Sequence, residues 1–258
     1  MPLIRVLYVM HALVTFVILM LLIFPFVIIA SFYGKVKGGN AVYRLCALWG
    51  DLWFIFIGIR HKNIHETPFQ KGKNYIFIAN HISYLDAPVI VKSIRQPVRA
   101  LGKEEMSRIP IFGYIYKNAI VTIDRSNAER RAKSVRILKS VLKKGISIFI
   151  FPEGTFNETG RPLKDFYDGA FRIAIETQTP IKPILFLDAY SRMHYRSVFS
   201  ITPGISRAVF LEEIPVEGLT TNDVRVLKEK VYGIMEERLI AYGAPWINDI
   251  KEEKSSQL

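Results

Sequence analysis

Residues 76–90 read IFIANHISYLDAPVI. The apolar run at its start breaks off in a polar turn, where His81 and Asp86 stand five positions apart. A short apolar run bounded in this way fits a strand buried on both faces. Pro88 then suits the first turn of a helix, where its missing N–H goes unneeded. His81 therefore falls at the carboxyl end of a buried strand, the edge at which open α/β sheets carry ligands. Asp86, at or near the helix start, can fold its carboxylate back onto one imidazole nitrogen. That contact fixes the tautomer and leaves the other nitrogen as a general base. The same spacing also describes a helix-capping aspartate beside a core histidine.

Outward from this stretch the chain alternates short strands and helices, the order of an α/β domain. The predicted strands are 74–80, 98–101, 119–124, 146–151, 180–187 and 206–214. Between 126 and 144, Val135, Leu138, Val141 and Leu142 recur at helical spacing among many cations. A last helix is predicted over about 222–241. At 258 residues the chain has room for one such domain and an appendage.

The appendage is N-terminal. From Val6 to Gly34 there is no Asp, Glu, Lys or Arg, a run longer than the roughly 20 residues that cross a bilayer. It is too long for a signal-peptide core, so a retained anchor is expected, either spanning or lying in the interface. Lys35, Lys37, Arg44, Arg60 and Lys62 follow it, against Arg5 before it. This bias predicts a catalytic domain on the cytoplasmic face of the membrane. A second apolar run, 45–59, is too short to span and is expected to form an interfacial or re-entrant helix packed beside the first, with Trp49, Trp53 and Phe56 at the headgroup boundary. The alternative is a buried helix of the globular domain. The division expected is an anchor over 1–62, a catalytic domain over 63–250 and a polar tail over 251–258.

The formal charge of +12 needs a partner. No nucleic-acid motif accompanies it, so anionic lipids and phosphorylated or acidic substrates are the expected partners. Residues 125–144 alone carry eight Lys or Arg against one Glu, which is either a solvated face or a docking surface for an acidic carrier. With Cys46 as the single cysteine, no intrachain disulfide can form. Nucleophile-elbow, P-loop and H-E-x-x-H patterns are absent, and no histidine has metal-ligand spacing. A base without a protein nucleophile suggests that His81 activates a hydroxyl brought by the substrate.

A second stretch, FPEGTFNETG (151–160), follows another apolar run and turns sharply at Pro152 and Gly154. Taken in order, NHISYLD (80–86), IDR (123–125), FPEGT (151–155) and TPIKPI (179–184) resemble the 1-acylglycerol-3-phosphate acyltransferase family over about 73–187. The resemblance implies a mixed central sheet flanked by helices, with a membrane-associated helical segment before it. It implies an O-acyltransferase of phospholipid biosynthesis with no cofactor. The donor would be acyl-CoA or acyl-carrier protein, and the acceptor a lysophospholipid hydroxyl. His81 would take the acceptor's proton and Asp86 would orient His81. Arg125, Lys103, Asn80, Glu153, Gly154 and Thr155 would bind substrate, with Arg125 on a phosphate and Glu153 and Gly154 either holding the acceptor or shaping the turn.

Two positions depart from the family pattern. Phe156 stands where an arginine usually follows FPEGT, and Asp168 precedes Gly169 where a lysine is usual. Lys164 or Arg161 can compensate for the missing cations. Otherwise the acceptor is a lyso-aminolipid with a less charged headgroup. A phospholipid transacylase and a non-catalytic lipid-binding scaffold are the other readings.

Overall fold

The computed structural model describes residues 3–247 apart from 69, 71 and 124–127. Two helices come first: α1 (Leu3–Ser31) and α2 (Gly39–Phe56), joined by a wide turn at Gly34–Gly38. The remainder alternates as β1 (Ile59–His65), β2 (Ile76–Ala79), α3 (Asp86–Ser93), β3 (Val98–Lys103), α4 (Phe112–Ala119), β4 (Ile120–Ile123), α5 (Ala128–Lys143) and β5 (Ser147–Ile150). Then follow α6 (Gly169–Thr177), β6 (Ile181–Phe186), α7 (Ala189–Arg192), β7 (Gly204–Phe210) and α8 (Val224–Ala241).

The seven strands form one sheet in the order β1-β7-β6-β2-β5-β3-β4. Every neighbouring pair is parallel except β6 and β7, so the sheet is mixed, as expected. Every residue of β2, β5 and β6 is buried, because helices cover both faces of a parallel centre. β2 and β5 lie side by side with Ile78 opposite Ile150, so the turns after them leave the sheet together. This register brings the two motif stretches to one place.

β1 was not predicted. IRHKNIH is mostly polar, but β1 is an edge strand beside β7, and an edge tolerates exposed charged side chains. The expected boundary at residue 62 thus falls inside a strand of the sheet.

α1 is the one helix among the described residues long and apolar enough to cross a membrane. It buries Val9, Ala12, Leu19, Ile23 and Val27, and turns Leu7, Met10, Val14, Val17, Leu21 and Phe26 outward. Its first half is fastened to the end of α2. Trp53 Nε1 donates to Ala12 O at 3.0 Å, Tyr8 Oη donates to Ile57 O at 2.8 Å, and Phe16 packs edge-on against Trp49 and Trp53. Trp53 is therefore a core residue under α1 and not a headgroup-boundary residue, because its indole N–H has found a backbone acceptor. Asp51, unexpected in an apolar run, pairs with Lys92 at 2.5 Å and Arg95 at 2.8 Å and ties α2 to α3. At the turn, Arg99 from β3 donates to Lys35 O, Val36 O and Asn40 Oδ1. Through these contacts the two helices pack on the sheet domain.

Candidate active site

Strand β2 ends at Ala79, and Asn80 extends its pairing by side chain. Asn80 Nδ2 donates to Phe186 O at 3.0 Å and its Oδ1 accepts from Phe186 N at 2.8 Å. The amide is buried and spends its main donor and acceptor on β6. Asn80, expected to bind substrate, clamps the two strand ends with this amide.

His81 follows. Its Nδ1 lies 2.8 Å from Asp86 Oδ2, as the spacing predicted. The same Oδ2 accepts from Ile82 N at 2.7 Å and Ser83 N at 2.9 Å. Asp86 thus satisfies both readings of the sequence: it holds the backbone of the turn and the imidazole with one oxygen. An oxygen already accepting two N–H groups is an acceptor for the ring, so Nδ1 carries the proton and Nε2 carries the lone pair. Nε2 makes no hydrogen bond among the described residues, and the side chain is 22% exposed. The other Asp86 oxygen, Oδ1, is buried without a hydrogen-bond partner among the described residues.

Aromatic rings fix the imidazole from two further sides. Phe151 stacks on it at 3.9 Å and 9°, and Phe156 meets it edge-on at 4.5 Å. Tyr84 in turn packs on Phe156 at 4.9 Å. Neither Phe151 nor Phe156 was expected to touch the histidine. Phe151 reads as the last residue of a buried strand, and only the β2–β5 register reveals what it faces.

Glu153 lies opposite His81 when that register is extended. Its carboxyl is fully buried, with Oε1 accepting from His81 N at 2.7 Å and Oε2 from Lys164 N at 2.7 Å. Burial pushes its pKa up to about 8, opposed by those two N–H donors and by the Lys164 charge. Glu153 ties the turn together, with each carboxyl oxygen accepting a backbone N–H. Gly154 holds φ +76°, a conformation that side chains other than glycine's adopt only with strain. Asn157 N donates to His81 O at 2.7 Å, a second tie between the two motif loops. The Asn157 amide is itself buried in its own turn.

Thr155 Oγ1 accepts from Lys164 Nζ at 2.7 Å. Lys103 ends β3, exposed, and the Ala100–Phe149 register carries it level with Pro152. One strand, β5, lies between it and His81, which is two strand spacings or roughly 10 Å. Arg125 lies outside the described residues, two positions after the end of β4. Asp168 sits before α6 and is bound to Lys228 at 2.6 Å.

The arrangement can perform base catalysis on an external hydroxyl. Ser83, the hydroxyl side chain beside the base in sequence, is buried, donates to Met193 O and accepts from Leu85 N. It is turned away from the reacting edge, which leaves the attacking oxygen to a substrate.

Known proteins resemble this chain over both halves. A family model described as Acyltransferase matches residues 61–187. An uncharacterised acyltransferase of Schizosaccharomyces pombe is 28% identical, over 83% of this chain and 81% of its own length. The 1-acyl-sn-glycerol-3-phosphate acyltransferase of Escherichia coli is 28% identical, over 74% of this chain and 77% of its own. Among solved structures, the 1-acyl-sn-glycerophosphate acyltransferase PlsC of Thermotoga maritima superposes with a TM-score of 0.74. That likeness covers 95% of this chain and 99% of that one at 23% identity, and it extends the shared fold through the N-terminal helices.

Proposed function

We propose that this chain is a member of the 1-acyl-sn-glycerol-3-phosphate acyltransferase family and moves a fatty acyl group from an acyl thioester to the free hydroxyl of a lysophospholipid. The first acceptor is 1-acylglycerol-3-phosphate and the product phosphatidic acid. That the protein is an acyltransferase rests on its relatives; the acceptor and the thioester donor, acyl-CoA or acyl-carrier protein, are the further steps of this reading. The observation that carries it is the His81–Asp86 pair, with Nε2 left without a hydrogen bond among the described residues and the imidazole partly exposed.

The chemistry runs through His81. Nε2 accepts the acceptor's hydroxyl proton as that oxygen attacks the thioester carbonyl, and positive charge on the ring is stabilised by Asp86. When the tetrahedral intermediate collapses, the C–S bond breaks. The imidazolium returns its proton to the thiolate, leaving ester, free thiol and neutral histidine. The reaction takes place at a membrane, where the outward apolar face of α1 lies among acyl chains and the positive flank keeps the domain on the cytoplasmic side.

A lyso-aminolipid acceptor is the second reading, favoured by Phe156 and Asp168, which bring no cation to the site. The test offers purified protein a labelled acyl thioester with lysophosphatidate and a lyso-aminolipid side by side. Transfer to lysophosphatidate supports the first reading, and transfer to the aminolipid alone moves the acceptor. Transfer to neither removes the thioester-dependent reaction altogether.

A further inference from the structure

The geometry points to Lys164 as the residue that binds the anionic headgroup of the acceptor, in particular a phosphate monoester. This rests on the proposed reaction and adds the acceptor's ligand to it.

Lys164 is held near the base by a buried carboxyl. Glu153 takes His81 N on one oxygen and Lys164 N on the other, both at 2.7 Å, so the two backbones are one carboxyl apart. The side chain then runs to Thr155, the residue before the ring that abuts His81. A lysine ammonium has three donors, and here one is used on a neutral hydroxyl. Among the described residues its Nζ has no ion-pair partner, unlike Arg161 of the same loop and Lys228 of α8, which meets the loop's end. Arg161 pairs with Asp165 at 3.2 Å, and Lys228 is taken by Asp168 at 2.6 Å. Lys164 thus presents a half-buried positive charge, with no ion pair among the described residues, beside the loop that carries Phe151 and Phe156. An acceptor with its hydroxyl at His81 Nε2 carries its headgroup within reach of this loop. An anion there completes the ammonium's bonding, and a compact point charge suits a phosphate monoester's several oxygens.

The test compares KM and kcat of wild type, Lys164→Gln and Lys164→Arg on lysophosphatidate and on the uncharged 1-acylglycerol. Removing one charge-assisted bond is expected to raise KM for lysophosphatidate roughly 10- to 100-fold in the glutamine variant, with kcat within about threefold. The arginine variant, which keeps the charge, is expected to stay within about fivefold of wild type. KM for 1-acylglycerol should hardly move. An equal change on both acceptors, or none on either, overturns the role of Lys164 while leaving the acyl transfer intact. A wild type inactive on both acceptors overturns the reaction and this inference together.

Discussion

Glu153 Oε1 accepts the backbone N–H of His81 at 2.7 Å from a position with no solvent exposure, so a buried carboxyl fixes the chain on which the base is mounted. Its pKa, raised by burial to about 8, couples this contact to pH. In the unfolded chain the group ionises near its ordinary value of 4.5, so between there and about 8 the unfolded state has given up the proton that the folded state keeps. Stability supplied by Glu153 is full below that window and falls as pH rises through it, by at most about 1.4 kcal/mol per pH unit. Above about 8 this contribution has gone. Chemical denaturation from pH 5 to 9 should show this slope in wild type and lose it in Glu153→Gln. The glutamine also sets an amide N–H against one backbone N–H, costing about 1–3 kcal/mol at every pH. Equal slopes in both proteins would count against the assignment.

The three donors on Asp86 Oδ2 set up a comparison between substitutions. Asp86→Asn can keep its oxygen at that position, placing the amide nitrogen where the unpartnered Oδ1 lies. The tautomer of His81 survives, and only the charge is lost. Asp86→Ala strands all three donors. We expect kcat to fall roughly 10- to 100-fold in the asparagine variant and at least about 10³-fold in alanine, where the imidazole loses its orientation. Equal losses in steady-state assays would show that charge matters and tautomer does not.

Arg99 pins the turn between the first two helices with donors to Lys35 O, Val36 O and Asn40 Oδ1. Arg99→Met leaves those acceptors unpaired beside a buried site and should cost about 2–4 kcal/mol. For a domain of this size that lowers Tm by roughly 5–15 °C. Limited proteolysis should also open near 34–40 before the rest of the chain. A melt unchanged from wild type would show that the α1–α2 packing holds the turn without it.

Deletion of α1 should not release a well-behaved catalytic domain. It would uncover Trp53 and take away Ala12 O, the acceptor of its indole, and Tyr8, the donor to Ile57 O. The full chain is expected to stay in the membrane pellet after alkaline carbonate, and the truncated chain to aggregate or melt well below it. A soluble truncation with wild-type Tm would show that α1 only anchors.

How much of this was legible in the sequence depended on where each residue sits. β2, β5 and β6 announced themselves as apolar runs because both faces of the sheet are covered, and the His81–Asp86 contact followed from five residues across one turn. β1 stayed hidden because an edge strand is allowed polar residues. The roles of Asn80, Trp53 and Phe151 also escaped, since their partners, Phe186, Ala12 and His81, lie 106, 41 and 70 positions away in sequence. Composition shows that such groups can be satisfied, and only the strand register shows by what. Lys164 was legible as one of two compensating cations, and the ion pair of Arg161 with Asp165 separates the two.

The most direct measurement is the rate of phosphatidic acid formation from lysophosphatidate and a labelled acyl thioester, by wild type and His81→Ala in parallel with their thermal melts. Removal of the base is predicted to lower the rate at least about 10³-fold while the melt stays near wild type, because the imidazole makes one side-chain hydrogen bond and is partly exposed. A His81→Ala protein that folds and still transfers acyl groups at a rate close to wild type would contradict it.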